Sequence, residues 1–221
     1  MRFLVAAAML SFVPSASFAQ QSSQDVLARL GIKVVQPMSA KEMTRTRSRV
    51  AAELARAGAT SLFEDITDEH GGKARHRPSG LICPLGKKGQ RVLQASPDSA
   101  SCETSNSGAV YRTNVVRAPA GAALQSVAAS TLAAAASEPG YKPATGLSMT
   151  ADADPESGRP EHRTYRFFSR VGGRERAVRM QVGLVRGWVL TNRRETKHDA
   201  PPNSISDVLE EATFGRSMKA D

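Results

Sequence analysis

Aromatic residues are few: they make up 5% of the 221 residues, with a single Trp. Nucleic-acid platforms that stack bases need several aromatics interleaved with basic side chains, so nucleic acid is the weakest anionic partner open to this chain. Cysteine is scarcer still, at two residues, which excludes a disulfide-dense miniprotein. Beyond the N-terminal segment no apolar run is long enough for a transmembrane helix, so the mature chain is expected to carry no transmembrane segment. A hydrophobic fraction of 40% is nonetheless too high for a wholly disordered chain, and the length suits one domain, or one domain plus an appendage.

Catalytic signatures are missing as well. There is no G-x-S-x-G elbow, S-x-x-K pair, H-E-x-x-H helix or G-x-G-x-x-G loop. Gly80 to Lys88 comes near a phosphate loop, but five residues separate Gly80 from Gly86 where four are required, and Lys88 stands where a Ser or Thr should bind magnesium. Asp152, Asp154 and Glu156 alternate like the start of a calcium loop, yet the glycine falls late, at Gly158, and Arg163 stands where the closing Glu belongs. His70 and His76, with Cys83 and Cys102, match no compact zinc spacing. No cofactor and no metal is therefore expected. His70 and His76, both in polar runs, read as surface residues. One catalytic foothold is left: folding could bring His76 together with Ser79 and Asp65 as a hydrolase triad.

Export is written into the first nineteen residues. Arg2 supplies a positive start, Phe3 to Val13 an apolar run, Pro14 a breaker, and Ser17-Phe18-Ala19 the small residues of a cleavage site. Cleavage after Ala19 predicts a periplasmic or secreted protein. No Cys follows for lipid attachment and no twin-Arg pair precedes the apolar run. In an oxidising compartment Cys83 and Cys102 read as one disulfide.

Helical periodicity marks four segments. Ser22 to Leu30 places Val26, Leu27 and Leu30 on one face. Ser39 and Glu42 form a capping box for a helix running to about Ala57 and stopped by Gly58; its apolar stripe (Met43, Val50, Leu54, Ala57) is thin, which suggests a loosely packed arm. Pro119 and Gly121 open a helix to about Ser137, and Ser204 caps a short one in which Ile205, Val208, Leu209 and Ala212 share a face. Strands are predicted at 62–67, 79–85, 91–95 and 110–116. Residues 139–160 read as a loop rich in Pro, Gly and Asp. From residue 159 to 198 the pattern is period two: Tyr165, Phe167 and Val171 alternate with Arg166 and Arg170, and Gly172-Gly173 is a hairpin turn. Arg186-Gly187 is a second turn, unless 176–191 is one long kinked strand. The whole predicts an α+β fold, mainly an antiparallel sheet with helices packed on one face, preceded by a short helical arm. The expected divisions are a signal at 1–19, the arm at 20–58 and the α+β domain at 59–221.

The formal charge is +9, and Arg2 lies in the signal, leaving +8. Residues 159–198 hold ten Arg and one Lys against Glu161, Glu175 and Glu195, so this one region carries the whole excess. Alternation places Arg166, Arg170, Arg174, Arg179 and Arg186 on a polar sheet face, where guanidinium groups suit phosphate or carboxylate. Phe168 shares the parity of Arg166 and Arg170, while Tyr165, Phe167 and Trp188 read as core. The leading expectation is a non-catalytic exported protein that binds an anionic lipid, an acidic glycan or an acidic protein through this face. A solvated basic surface reflecting composition is the bland alternative. Two functional alternatives are a small hydrolase near His76 and an envelope assembly factor docking through its N-terminal helices.

Overall fold

The computed structural model describes residues 37–106, 108–144, 149–151 (backbone) and 160–197. The signal segment, the helix at Ser22–Leu30, the acidic run of Asp152, Asp154 and Glu156, and the helix capped by Ser204 lie outside the described residues.

Helix α1 (Ala40–Arg56) starts where the capping box requires: the Glu42 amide donates to Ser39 Oγ at 3.3 Å, and the Ser39 amide donates to Glu42 Oε2 at 3.0 Å. The helix gives way at Ala57, and Gly58 follows at φ 64°, a left-handed turn that glycine adopts without a steric penalty. The thin stripe anchors α1 all the same, because Val50 and Leu54 are buried among Leu81, Leu85 and Trp188. Close approach is possible because Gly72 has no side chain: a Cβ there would stand 2.4 Å from the Leu85 carbonyl oxygen and 2.7 Å from Thr46 Cγ2.

Strands β1 (Phe63–Asp65), β2 (Gly72–His76) and β3 (Ile82–Leu85) form a small sheet in sequence order. The large sheet contains β4 (Gln90–Ser96), β5 (Ser99–Ser105), β6 (Ala109–Arg117), β7 (Lys142–Pro143), β8 (Met149–Ala151), β9 (His162–Val171), β10 (Arg174–Val185) and β11 (Trp188–Lys197). Its order is β4-β5-β6-β11-β10-β9-β7, with β8 also paired to β9, and every pairing is antiparallel. Helix α2 (Leu124–Ala136) joins β6 to the edge strands. The fold is thus α+β, built on a mainly antiparallel sheet.

Both predicted hairpins form in β9–β10–β11, so 176–191 is not one strand. Gly172 and Gly173 turn at φ 58° and 78°, and Arg186 and Gly187 at 51° and 78°. Residues 142–143 and 149–151, expected as loop, instead add two short strands to the β9 edge.

Register assigns each residue of the large sheet to a face, since directly opposed residues in an antiparallel pair point the same way. On one face Val92, Cys102, Val115, Leu190 and Trp188 pack with the small sheet and α1. The Cys83–Cys102 disulfide, with Cα atoms 5.8 Å apart, crosses that junction from β3 to β5. On the opposite face Phe167, Val178, Met180 and Val182 pack against Val127, Ala128 and Ala135 of α2.

Candidate functional site: an arginine row on one end of the large sheet

Pairing brings together residues that are far apart in sequence. In one row across the sheet, Arg166 of β9 lies opposite Arg179 of β10, which lies opposite Arg194 of β11, which lies opposite Tyr111 of β6. Three arginines on adjacent strands of one face is an unusual arrangement, because like charges placed directly opposite repel. Lys142 is opposite Phe168, so both join this face, and Arg170 joins it opposite Glu175. Glu175 accepts from Lys142 Nζ at 3.2 Å. Of these six charged groups only Glu175 is acidic. Arg194 stacks its guanidinium 5.9 Å from the Tyr111 ring.

The expected arginines therefore divide. Arg166, Arg170 and Arg179 share a face, as their alternation implied. Arg170 is exposed, Arg166 is half-buried, and Arg179 is only 8% exposed. Arg174 is exposed beside the β9–β10 turn, opposite Val171 and with the parity of the other face. Arg186 is exposed in the β10–β11 turn. Seven strand positions from Arg179, at about 3.3 Å each, put it beyond the reach of a small ligand bound at the row. Arg194, which belongs to the row, was not among the arginines expected on this face. Continuing the parity of Trp188, Leu190 and Asn192 would have found it.

The other face treats the same residue type differently. One row there runs Arg91, Glu103, Arg112, Arg193 across β4, β5, β6 and β11. Glu103, 5% exposed, accepts from Arg91 Nη2 at 2.7 Å and from Arg112 Nε at 2.8 Å. Arg112 Nη1 reaches Glu195 Oε1 at 2.8 Å, and Arg193 Nε reaches the same oxygen at 2.9 Å. Arg193 also donates two bonds to Glu138, just past α2, the one from Nη2 measuring 2.7 Å. Ser169 Oγ donates to Glu138 Oε2 at 2.8 Å. Burial pushes the Glu103 carboxyl up, but the bonds from Arg112 and Arg91 outweigh it and hold the carboxyl below its ordinary value. The Arg193 bonds hold Glu138 low as well, against its own burial. This is a structural lattice of alternating charge, and it consumes Arg193, one of the ten arginines of the basic region.

His76 is a correction. It is fully buried rather than on the surface, between Phe63 and Trp188 rings. Its Nδ1 meets Ser79 Oγ at 2.7 Å and its Nε2 meets the Ser96 carbonyl at 2.9 Å. A carbonyl only accepts, so Nε2 carries the proton and Nδ1 accepts from the serine hydroxyl. Burial lowers the His76 pKa and keeps the ring neutral, with the Ser96 bond acting weakly the other way. Asp65 does not complete a triad, since both His76 ring nitrogens are taken by Ser79 and Ser96, and its own Oδ1 accepts from the Thr67 amide at 2.8 Å. His76 and Ser79, two of the three residues expected at a hydrolase site, instead form a latch between the β2–β3 turn and Ser96 of β4. His162 is also fully buried, while His70 is exposed.

Among the described residues, no group of three or more His, Cys, Asp or Glu could hold a metal ion. No described helix is long and apolar enough to cross a membrane.

No protein-family model matches the chain, and no curated protein matches it. Solved structures give distant likenesses. One is PA94, a Pseudomonas aeruginosa protein of unknown function, at 14% identity and TM-score 0.39, over 55% of this chain and 83% of that one. Another is LpqN, involved in cell envelope biogenesis of Mycobacterium tuberculosis, at 14% identity and TM-score 0.34, over 60% of this chain and 78% of that one. Likenesses at this level say nothing about what this chain binds.

Proposed function

We propose that the chain is an exported, non-catalytic protein of the cell envelope. It binds an anionic component, a lipid headgroup, an acidic glycan or an acidic protein, through the arginine end of its large sheet. The carrying observation is the Arg166–Arg179–Arg194 row, with Arg170 and Lys142 beside it and Glu175 as the one carboxylate on that patch among the described residues. Basic residues gathered on one part of a sheet make a field that raises the rate of anion encounter. Phe168 and Tyr111 flank the row with apolar surface, which suits a ligand that is not charged throughout. The N-terminal export pattern and the Cys83–Cys102 disulfide support an oxidising compartment outside the cytoplasm.

The test is binding of the purified chain to phosphatidylglycerol vesicles, an acidic polysaccharide and a poly-glutamate peptide at low and high salt. Binding to at least one is expected to fall as salt rises, since exposed charge interactions are screened. Absence of binding to all three, or binding indifferent to salt, overturns the reading.

A further inference from the structure

The face that carries the charge lattice also carries a row without charge. Pairing sets Gln94 of β4 opposite Ser101 of β5, Ser101 opposite Asn114 of β6, and Asn114 opposite Thr191 of β11. Directly opposed residues of antiparallel strands point the same way, so these amide and hydroxyl side chains stand side by side. With neighbouring strands about 4.8 Å apart, the row is about 14 Å long. We propose that it binds an uncharged oligosaccharide, at a site on the opposite face from the arginine row and independent of the anion reading.

Availability is the first argument. Gln94 donates to Ser99 Oγ at 3.1 Å, but the side chains of Ser101, Asn114 and Thr191 hydrogen-bond to no described residue. Those three are half-buried on strands paired at both edges, so their positions are set before any ligand arrives. Helix α2 packs on β9 and β10, and towards β4 this face opens, with Arg91, Gln94 and Val116 exposed.

Chemistry is the second argument. Amides and hydroxyls both donate and accept, as sugar hydroxyls do, whereas an ionised phosphate or carboxylate ligand would leave their acceptor lone pairs unused. One flank of the row is the lattice of Arg91, Arg112 and Arg193 with Glu103, Glu195 and Glu138, which is electrically balanced and has no net pull on an ion. Arg112 spends Nε on Glu103 and Nη1 on Glu195, and its side chain is 38% exposed. Nη2 is left to donate beside Asn114, two residues further along the same strand face. The other flank is apolar: Val116 lies opposite Ser99 and Val189 and is 43% exposed. Sugar rings present a C–H face as well as hydroxyls, and Val116 suits the first as the row suits the second. A pyranose unit is about as long as one strand spacing, so the row matches about three consecutive units.

Nuclear magnetic resonance titration of the full chain with chitotetraose, cellotetraose and maltotetraose tests this. At least one is expected to shift the Asn114 side-chain amide and the backbone amides of Ser101 and Thr191. Its affinity should be the same at low and high salt, because no ion pair with the ligand is screened. S101A/N114A/T191V should bind about tenfold more weakly or worse, and N114A alone several-fold more weakly, which keeps the test open if the triple variant does not fold. R166E/R170E should bind the sugar as the parent does. No shift with any of the three sugars, or parental affinity in either Asn114 variant, overturns the proposal. Shifts that fade with salt and vanish in R166E/R170E place the ligand on the arginine row and overturn it as well. Loss of anion binding in R166E/R170E with sugar binding intact separates the two sites.

Discussion

Two rows of arginine cross the same sheet on opposite faces and do opposite things. On one, Arg91, Arg112 and Arg193 alternate with Glu103, Glu195 and Glu138, so each guanidinium stands against a carboxylate and the row braces four strands and the end of α2. On the other, Arg166, Arg179 and Arg194 follow one another with no carboxylate between them in the row. Residue type, strand and neighbourhood are nearly shared, since Arg193 and Arg194 are consecutive. Register alone sends Arg193 to a structural lattice and Arg194 to a row of arginines on the other face. An excess of arginine in a sequence is therefore not one signal, and its meaning depends on which acids the sheet places opposite.

The frame common to both faces should respond most strongly. Replacing Cys83 and Cys102 by Ser removes a crosslink closing 19 residues of chain and is expected to cost about 3 kcal/mol, read by denaturant titration. Breaking the alternating row comes next. Glu103→Gln leaves Arg91 and Arg112 facing a neutral amide at a buried position, with an expected loss of about 2 kcal/mol. The matched change on the other face, Arg166→Glu, should leave stability within about 0.5 kcal/mol or raise it, because it relieves like-charge opposition. Equal losses from the two substitutions would erase the distinction between the faces.

Acid sharpens the same comparison. Glu103 and Glu138 are held below their ordinary values, so their contribution is complete above about pH 4.3, the unfolded value, and fades as pH falls below it. A parent titrated from pH 5 to pH 3 should lose stability over that range, and E103Q should lose less. His76 works in a higher window. Its folded pKa is lowered, so the neutral latch is fully stabilising above about pH 6.5 and weakens as pH falls through the range below. His76→Gln should flatten that slope, a change visible in melting temperature between pH 7.5 and pH 5. The smallest effect is expected at Arg186, which sits at φ 51° in a turn. Arg186→Asn should stabilise by about 0.5–1 kcal/mol, since Asn tolerates the left-handed region better. Anion binding at the distant row should not change.

Much of this was legible in advance where local chemistry decides structure. Ser39 and Glu42 announced the start of α1, Gly58 its end, and Gly172-Gly173 the β9–β10 turn. Cys83 and Cys102 pair, as the even count and the expectation of export implied. What escaped depends on contacts distant in sequence. Strand β5 reads Ser-Ala-Ser-Cys-Glu-Thr-Ser, with little β-propensity of its own, and is a strand because β4 and β6 pair with it on both sides. The same is true of β2, whose Gly72 and Ala74 are small to admit α1 and the core rather than to favour extension. Arg112 and Glu195 lie 83 residues apart, and Arg193 and Glu138 55 apart, so no window could show that one set of arginines is neutralised. Of the row itself, the parity of Arg166, Arg170 and Arg179 was visible, and the parity of Arg194 was visible but unread.

Anion binding measured on charge-reversed variants is the most direct test of the central claim. R166E/R170E changes the chain by the same four charge units as K87E/K88E, which alters two exposed lysines on the β3–β4 turn. Titrated with phosphatidylglycerol vesicles, acidic polysaccharide and poly-glutamate at low salt, R166E/R170E should lose about tenfold or more in affinity, at least 1.4 kcal/mol, while K87E/K88E stays near the parent. If both variants lose affinity equally, binding follows net charge and the arginine row has no special role.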